Sequence, residues 1–116
     1  MSVGSEEESL TRQVLAAISD GDTARFGELV ADDVEIHTAR GVRTGRVEAI
    51  AWAANKYDHL QRRLEIDELE GSGEGVVVRG RSEYVWHEGG GVADSSPVAI
   101  ELRFGGGKLQ RFRFLD

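Results

Sequence analysis

The stretch from Val14 to Thr38, VLAAISDGDTARFGELVADDVEIHT, constrains the fold of this chain more than any other segment. In its first part and just before it, apolar residues recur at helical spacing, at Leu10, Val14, Ala17 and Ile18. This pattern predicts a first helix from about Glu6 to Ser19. Ser5, followed three residues later by Glu8, has the pattern of a capping box at the start of that helix.

A Gly-Asp break then separates two predicted helices. Gly21 can adopt the left-handed conformation that ends a helix, and Asp22 can cap the amide groups of the next one. The second helix should stop at the Asp32-Asp33 pair, and its apolar face consists of Phe26, Leu29 and Val30. We interpret the two aspartates as turn residues rather than as a catalytic pair, because adjacent side chains at a helix end diverge. From Val34 the apolar period becomes two, which predicts a strand.

The next segment is expected to lead through a short loop or hairpin, residues 39–45, into a third helix that begins near Thr44 to Arg46. One side of this helix is apolar, with Val47, Ile50, Ala51, Ala54 and Tyr57. Trp52 falls on roughly the opposite side. We therefore expect it to be covered by a loop or another subunit, or to lie at a pocket mouth.

The rest of the chain predicts four strands separated by glycine-rich turns. The longest runs from Val76 to His87, and its even-numbered residues share one face. The predicted order of helix, helix, strand, helix and four strands indicates an α+β fold, with about three N-terminal helices packed on one face of a curved antiparallel sheet. At 116 residues, we expect one domain spanning residues 1–116.

Three segments of the chain together resemble a known family. They are AAISDGDTARFGELVADDVEIH, the helix start at residues 44–50, and the glycine-linked strand pair at the end of the chain. The sequence is similar to the NTF2-like superfamily, and most similar to its SnoaL-like and ketosteroid isomerase-like proteins. The resemblance implies a cone-shaped α+β domain that dimerises through the convex face of its sheet. It implies no single activity, because the superfamily includes isomerases, dehydratases, cyclases, epoxide hydrolases and non-catalytic carriers.

A ketosteroid isomerase-like site is not carried by these residues. The resemblance would place an oxyanion-binding tyrosine at Val14, a proton-shuttling aspartate at Thr38 and an acidic donor near Ile100. Without these groups the chain lacks the base and both donors that enolate chemistry needs, so a steroid isomerase is disfavoured. Glu101 lies beside Ile100 on the opposite face and becomes a candidate only if the strand register shifts by one residue.

The alternation of apolar residues predicts an apolar pocket on the concave face of the sheet. Its predicted ligand-binding residues are Ile36, Thr38, Ile50, Ile66, Ser82, Tyr84, Trp86, Ile100 and Phe112. Gly80 and Ser82 would leave room beneath Tyr84 and Trp86 for a flat apolar ligand. The alternative is that these residues simply fill the core.

Three functional hypotheses follow from this reading. The first is a binding or carrier protein for a small hydrophobic molecule. The second is a SnoaL-like enzyme that performs isomerase, cyclase or dehydratase chemistry without a cofactor, using Tyr84 with Glu101 or His87. The third is a dimeric interaction module that binds a protein through the convex sheet face or a patch around Trp52.

Charge and composition narrow the classes of partner. A net charge of −7 argues against nucleic acid, and no apolar run approaches the roughly 18 residues that a membrane span needs. The three histidines, His37, His59 and His87, have no partner at metal-ligand spacing, so we expect no metal or other cofactor. The sequence contains no cysteine, which fits the reducing cytoplasm that we expect for this chain.

Overall fold

The computed structural model describes residues 4–54, 60–72 and 75–115. Within these ranges the chain forms three helices and six strands. The helices are α1 (Ser5–Asp20), α2 (Thr23–Leu29) and α3 (Arg46–Ala54). The strands are β1 (Val30–Thr38), β2 (Gly41–Thr44), β3 (Leu60–Ser72), β4 (Gly75–Trp86), β5 (Val92–Gly105) and β6 (Lys108–Leu115). None of the described helices is both long enough and apolar enough to cross a membrane.

The six strands form one curved sheet in the order β2-β1-β6-β5-β4-β3. Neighbouring strands run antiparallel except for β1 and β6, which are parallel, so the sheet is mixed where only antiparallel pairing was expected. Buried side chains of all three helices join those of the sheet in one core. The predicted α+β fold, with three helices against a curved sheet, is confirmed.

The break between α1 and α2 follows the prediction. Gly21 ends α1 in the left-handed conformation, with φ of 68°, and the side chain of Asp22 accepts a hydrogen bond from the backbone N–H of Arg25 at 3.0 Å. The capping box at the start of α1 was wrong. Gly4 is the N-cap and makes no side-chain hydrogen bond, because the helix already includes Ser5 as its first residue.

The acidic pair Asp32-Asp33 does not end α2 as predicted, because the chain passes directly from Leu29 into β1. Both aspartates are exposed within β1, in a segment where the register with β6 shifts between Val30 and Glu35. The carboxylate of Asp32 lies 2.8 Å from the guanidinium of Arg46 at the start of α3. A strand irregularity, rather than a helix-ending turn, therefore accommodates the pair.

The predicted apolar side of α3 was wrong for Val47 but correct for Ile50, which packs against the core. The helix buries Ala49 and Ala53 and packs Trp52 against the core, while Val47 is 83% exposed. The two alanines are small, so this side of the helix can approach the sheet closely, and the indole then fills the space beside them. Tyr57, which was predicted on the apolar side, lies outside the described residues, as does His59.

The backbones of β3 and β4 approach each other closely at Gly80. A Cβ atom at this position would lie 1.8 Å from the carbonyl oxygen of Glu65, because β3 bulges between Ile66 and Glu68 and brings its backbone over Gly80. The glycine therefore permits a close approach between β3 and β4.

Gly80 also lines a cleft of about 510 Å³. Neither Tyr84 nor Trp86 is among the described residues that line it, so ligand space beneath those two rings stays a prediction.

Candidate functional site

A cleft of about 680 Å³ lies at the end of the sheet where β1, β4 and β6 finish and β3 begins. The β1–β2 hairpin and the second half of α3 complete its walls. Its lining residues are Thr38, Ala39, Arg40, Arg43, Ala51, Trp52, Ala54, Arg62, Tyr84 and Phe114. The volume falls within the range of small-molecule sites.

Aromatic side chains form the base of this cleft. The ring centroid of Trp52 lies 5.2 Å from that of Phe112 and 6.3 Å from those of Phe26 and Phe114. Phe112 and Phe114, two residues apart on β6, have centroids 5.4 Å apart in an edge-to-face arrangement. These contacts hold the indole in a fixed position, with part of its surface in the cleft wall.

Arg62 and Tyr84 line the cleft from adjacent strands, as directly opposed residues of β3 and β4. The guanidinium carbon of Arg62 lies 4.7 Å from the ring centroid of Trp52, within the range of a cation–π contact. An aromatic surface, a stacked cation and a phenol therefore meet in one wall.

Thr38, where an isomerase aspartate would stand, serves the hairpin turn. Its hydroxyl accepts a hydrogen bond from the backbone N–H of Arg40 at 3.2 Å and donates to the carbonyl oxygen of Gly41 at 3.4 Å. A hydroxyl engaged in this way holds the loop between β1 and β2 in shape. It does not supply a base for proton abstraction.

The structure brings together two of the nine predicted ligand-binding residues, Thr38 and Tyr84, in the lining of this cleft. Three others, Ile36, Ile100 and Phe112, are fully buried in the core. Ile50 packs towards Gly27 of α2, and Trp86 is 47% exposed at the end of β4. Ile66 and Ser82 are partly buried outside the lining. Whether any of the nine binds a ligand stays a prediction.

The three candidate catalytic residues do not lie together in one site. Tyr84 lines the cleft, whereas His87 is exposed in the turn after β4. Glu101 lies on the opposite face of the sheet, where its carboxylate accepts a hydrogen bond from Arg111 at 3.0 Å and forms an ion pair with Arg113 at 3.1 Å. The predicted strand register at this position is therefore correct.

A second charged pair on the convex face joins β3 to β4. Arg63 donates to the carboxylate of Glu83 at 2.7 Å, and only 11% of that side chain is exposed. This hydrogen bond lowers the pKa of Glu83 from its ordinary value and raises that of Arg63. The pair reinforces the sheet and is remote from the cleft.

Sequence reasoning missed Arg40, Arg43 and Arg62 as cleft residues. Arg40 and Arg43 fell in a segment treated as a loop, and Arg62 came before the apolar alternation that predicted β3. The available signal was the excess of arginine near the third helix of an otherwise acidic chain. Among the described residues, no three His, Cys, Asp or Glu side chains come together as metal ligands would.

Comparison with known proteins places this arrangement in a family context. Residues 11–112 match the family model of the SnoaL-like domain. No curated protein matches the chain significantly in sequence.

Several solved structures superimpose on nearly the whole chain. An uncharacterised cystatin-fold protein from Novosphingobium aromaticivorans is 22% identical, with a TM-score of 0.78 over 98% of this chain and 100% of its own. A ketosteroid isomerase-like protein from Catenulispora acidiphila, solved with trimethylamine, is 19% identical, with a TM-score of 0.76 over 92% and 84%. A candidate polyketide cyclase from Sinorhizobium meliloti is 16% identical, with a TM-score of 0.77 over 92% and 94%. At these identities the likeness establishes a shared fold.

Proposed function

The chain belongs to the family of SnoaL-like domains, and from this premise we propose that its cleft binds a small molecule with a flat apolar body. The predicted membership of the NTF2-like superfamily, with its α+β cone, is confirmed. The observation that most supports this proposal is the position of Trp52, which packs against phenylalanine rings and lines a cleft of about 680 Å³. A flat ring can stack on this indole and cover apolar surface that now faces water.

The residues that line the cleft favour ligand binding without acid-base catalysis. The described lining includes no carboxylate and no histidine. Val14 and Ile100, at two positions where the resembled isomerases carry catalytic groups, are fully buried in the core. Thr38, at the third, is engaged in the hairpin turn.

Fluorescence can test this proposal, because the chain has only two tryptophans. Substitution Trp86→Phe leaves Trp52 as the single indole. Titration of this variant with the neutral dye N-phenylnaphthylamine should quench the indole emission saturably, by energy transfer to a dye bound beside Trp52. In the matched variant Trp52→Phe, Trp86 remains close enough for energy transfer and reports on the same cleft, and the affinity read from its quenching should be at least about fivefold lower. Equal affinity in the two variants would place the dye elsewhere and contradict the proposal.

The place of Tyr84 in the cleft favours a second candidate function, an isomerase, cyclase or dehydratase in which the phenol donates a proton or a hydrogen bond. Proton transfer next to a ketone is measurable as deuterium uptake by tetralone in heavy water. Wild-type protein should accelerate this uptake and Tyr84→Phe should not. Uptake no faster than in buffer would count against the enzymatic function.

We also propose, from the resemblance, that two copies of the chain associate through the convex face. The cross-strand pairs of Glu101 with Arg111 and Arg113 offer both signs of charge to a symmetry-related copy. Sedimentation velocity over a dilution series should then show a dimer that Arg113→Glu weakens and Arg12→Glu, on α1, does not. A monomer at every concentration would refute the association. The cytoplasmic location stays a prediction.

A further inference from the structure

The cleft concentrates positive charge in a chain whose net charge is −7. Three of its ten lining residues are arginines, and none of the ten is acidic. Arg40 and Arg43 extend from the β1–β2 hairpin, and Arg62 extends from β3 on the facing side. The charge of the described cleft lining is thus opposite to that of the protein as a whole.

Among the described residues, Arg40 and Arg43 are less neutralised by carboxylates than the arginines of the convex face. The guanidinium of Arg40 forms no ion pair with any other residue that the structure describes. Arg43 lies 3.9 Å from Glu48, and both side chains are largely exposed, so this pair is weak. On the convex face, by contrast, arginine nitrogens lie 2.7 to 3.1 Å from carboxylates, at Arg63, Arg111 and Arg113.

Arg62 is held in place by the aromatic surface itself. Its guanidinium lies 4.7 Å from the ring centroid of Trp52, so a flat ligand on the exposed part of that indole would lie beside a fixed cation. Like charges that face one cleft repel each other, and a bound anion would reverse this cost. The planar guanidinium also matches the two oxygens of a carboxylate.

We propose further that the ligand of this cleft is a flat apolar molecule with one anionic group, such as a carboxylate. This second proposal rests on the proposed function. The apolar body stacks beside Trp52, and Arg40 and Arg43 bind the anion at the hairpin side of the cleft. The positive cleft also attracts such a ligand from solution more strongly than it attracts a neutral analogue.

A pair of dyes with the same ring system separates charge from shape. Anilinonaphthalenesulfonate carries one negative charge, and N-phenylnaphthylamine has the same rings without the charge. Wild-type protein should bind the anionic dye at least about tenfold more tightly at low salt. This preference should shrink as sodium chloride is raised, because ions screen the exposed arginines, while affinity for the neutral dye stays nearly constant.

Charge-removing variants locate the anion. Arg40→Gln and Arg43→Gln should each weaken the anionic dye by at least about fivefold and leave the neutral dye within about twofold. Arg12→Gln is the matched control, because it removes the same charge from an exposed position on α1 and should change neither affinity. Competition extends the test to carboxylates: naphthoate should displace the anionic dye, and the isosteric naphthamide should need a concentration about tenfold higher to do so.

The outcomes distinguish the two proposals. If the dyes bind equally, or if Arg12→Gln weakens the anionic dye as much as Arg40→Gln, the preference for an anion is refuted while the cleft still binds flat molecules. If neither dye binds, or if both bind equally well to Trp52→Phe, the proposed function itself fails. Circular dichroism of each variant verifies that the loss of affinity is not a loss of folding.

Discussion

Substitution Gly80→Ala should destabilise the protein strongly, although it adds a single methyl group. The new Cβ atom would lie 1.8 Å from the carbonyl oxygen and 2.9 Å from the carbonyl carbon of Glu65. Both are backbone atoms, so no side-chain rotation relieves the clash. The bulge of β3 would have to move away from β4 by more than 1 Å, on the order of the missing separation.

Two energetic costs determine the expected loss of stability in Gly80→Ala. Overpacking a well-packed region costs roughly 1–3 kcal/mol, and each ladder hydrogen bond lost at the bulge adds about 1 kcal/mol. We therefore expect the free energy of unfolding to fall by about 3 kcal/mol. With a slope of about 1.5 kcal/mol per molar urea, the midpoint of urea denaturation should fall by about 2 M.

Equilibrium urea denaturation followed by circular dichroism measures this change. Gly91→Ala is the matched control, because its Cβ would meet only the side chain of Trp86, at 3.9 Å. The control should stay within about 1 kcal/mol of wild type. A Gly80→Ala protein as stable as the Gly91→Ala control would show that the backbone of β3 does not lie over β4 as described.

Two further predictions concern the ion pairs of the convex face. Glu101→Gln should lower the free energy of unfolding by about 1 kcal/mol in urea denaturation at neutral pH, because the carboxylate binds Arg111 and Arg113, and an unchanged midpoint would contradict this. Glu83 has a lowered pKa in the folded protein, so its contribution is complete above the ordinary glutamate pKa of about 4.3 and is lost as the pH falls towards the folded value. The stability difference between wild type and Glu83→Gln should therefore shrink on acidification, and a constant difference would refute the role of the pair with Arg63.

Local signals in the sequence sufficed for the elements of the fold. Gly21 and Asp22 carry their own turn and cap chemistry, and the alternation along Val76–His87 identifies β4 without reference to the rest of the chain. The parallel pairing of β1 with β6 is not local. It joins residues more than seventy positions apart, such as Ile36 and Phe112, and no periodicity encodes that choice.

The helical pattern of α3 did not predict which of its side chains are buried. Periodicity placed Val47 inside and Trp52 outside, because it ranks side chains by hydrophobicity alone. The helix instead buries two of its four alanines, Ala49 and Ala53, where close approach to the sheet decides the packing. Tertiary fit overrides the helical pattern at this position.

Only part of the cleft lining could be predicted, because the cleft also depends on tertiary packing. Thr38 and Tyr84 lie on strands whose faces the alternation fixes, and both line the cleft. Arg40 and Arg43 lie on a hairpin whose direction depends on the turn at Thr38, and Arg62 is recruited by Trp52. Their convergence depends on elements that are distant in sequence. Residue patterns alone therefore did not indicate the positive charge of the cleft.

A two-dimensional NMR titration of the two indole N–H signals with N-phenylnaphthylamine tests most directly whether the cleft beside Trp52 binds flat apolar molecules. Trp52 lines the cleft, whereas Trp86, 47% exposed at the last residue of β4, is not among its lining residues, so each reports on its own surface. If the dye binds in the cleft, the Trp52 signal should shift saturably while the Trp86 signal stays nearly unchanged. A shift confined to Trp86, or no shift of either signal at saturating dye, would contradict the claim that this cleft is the binding site.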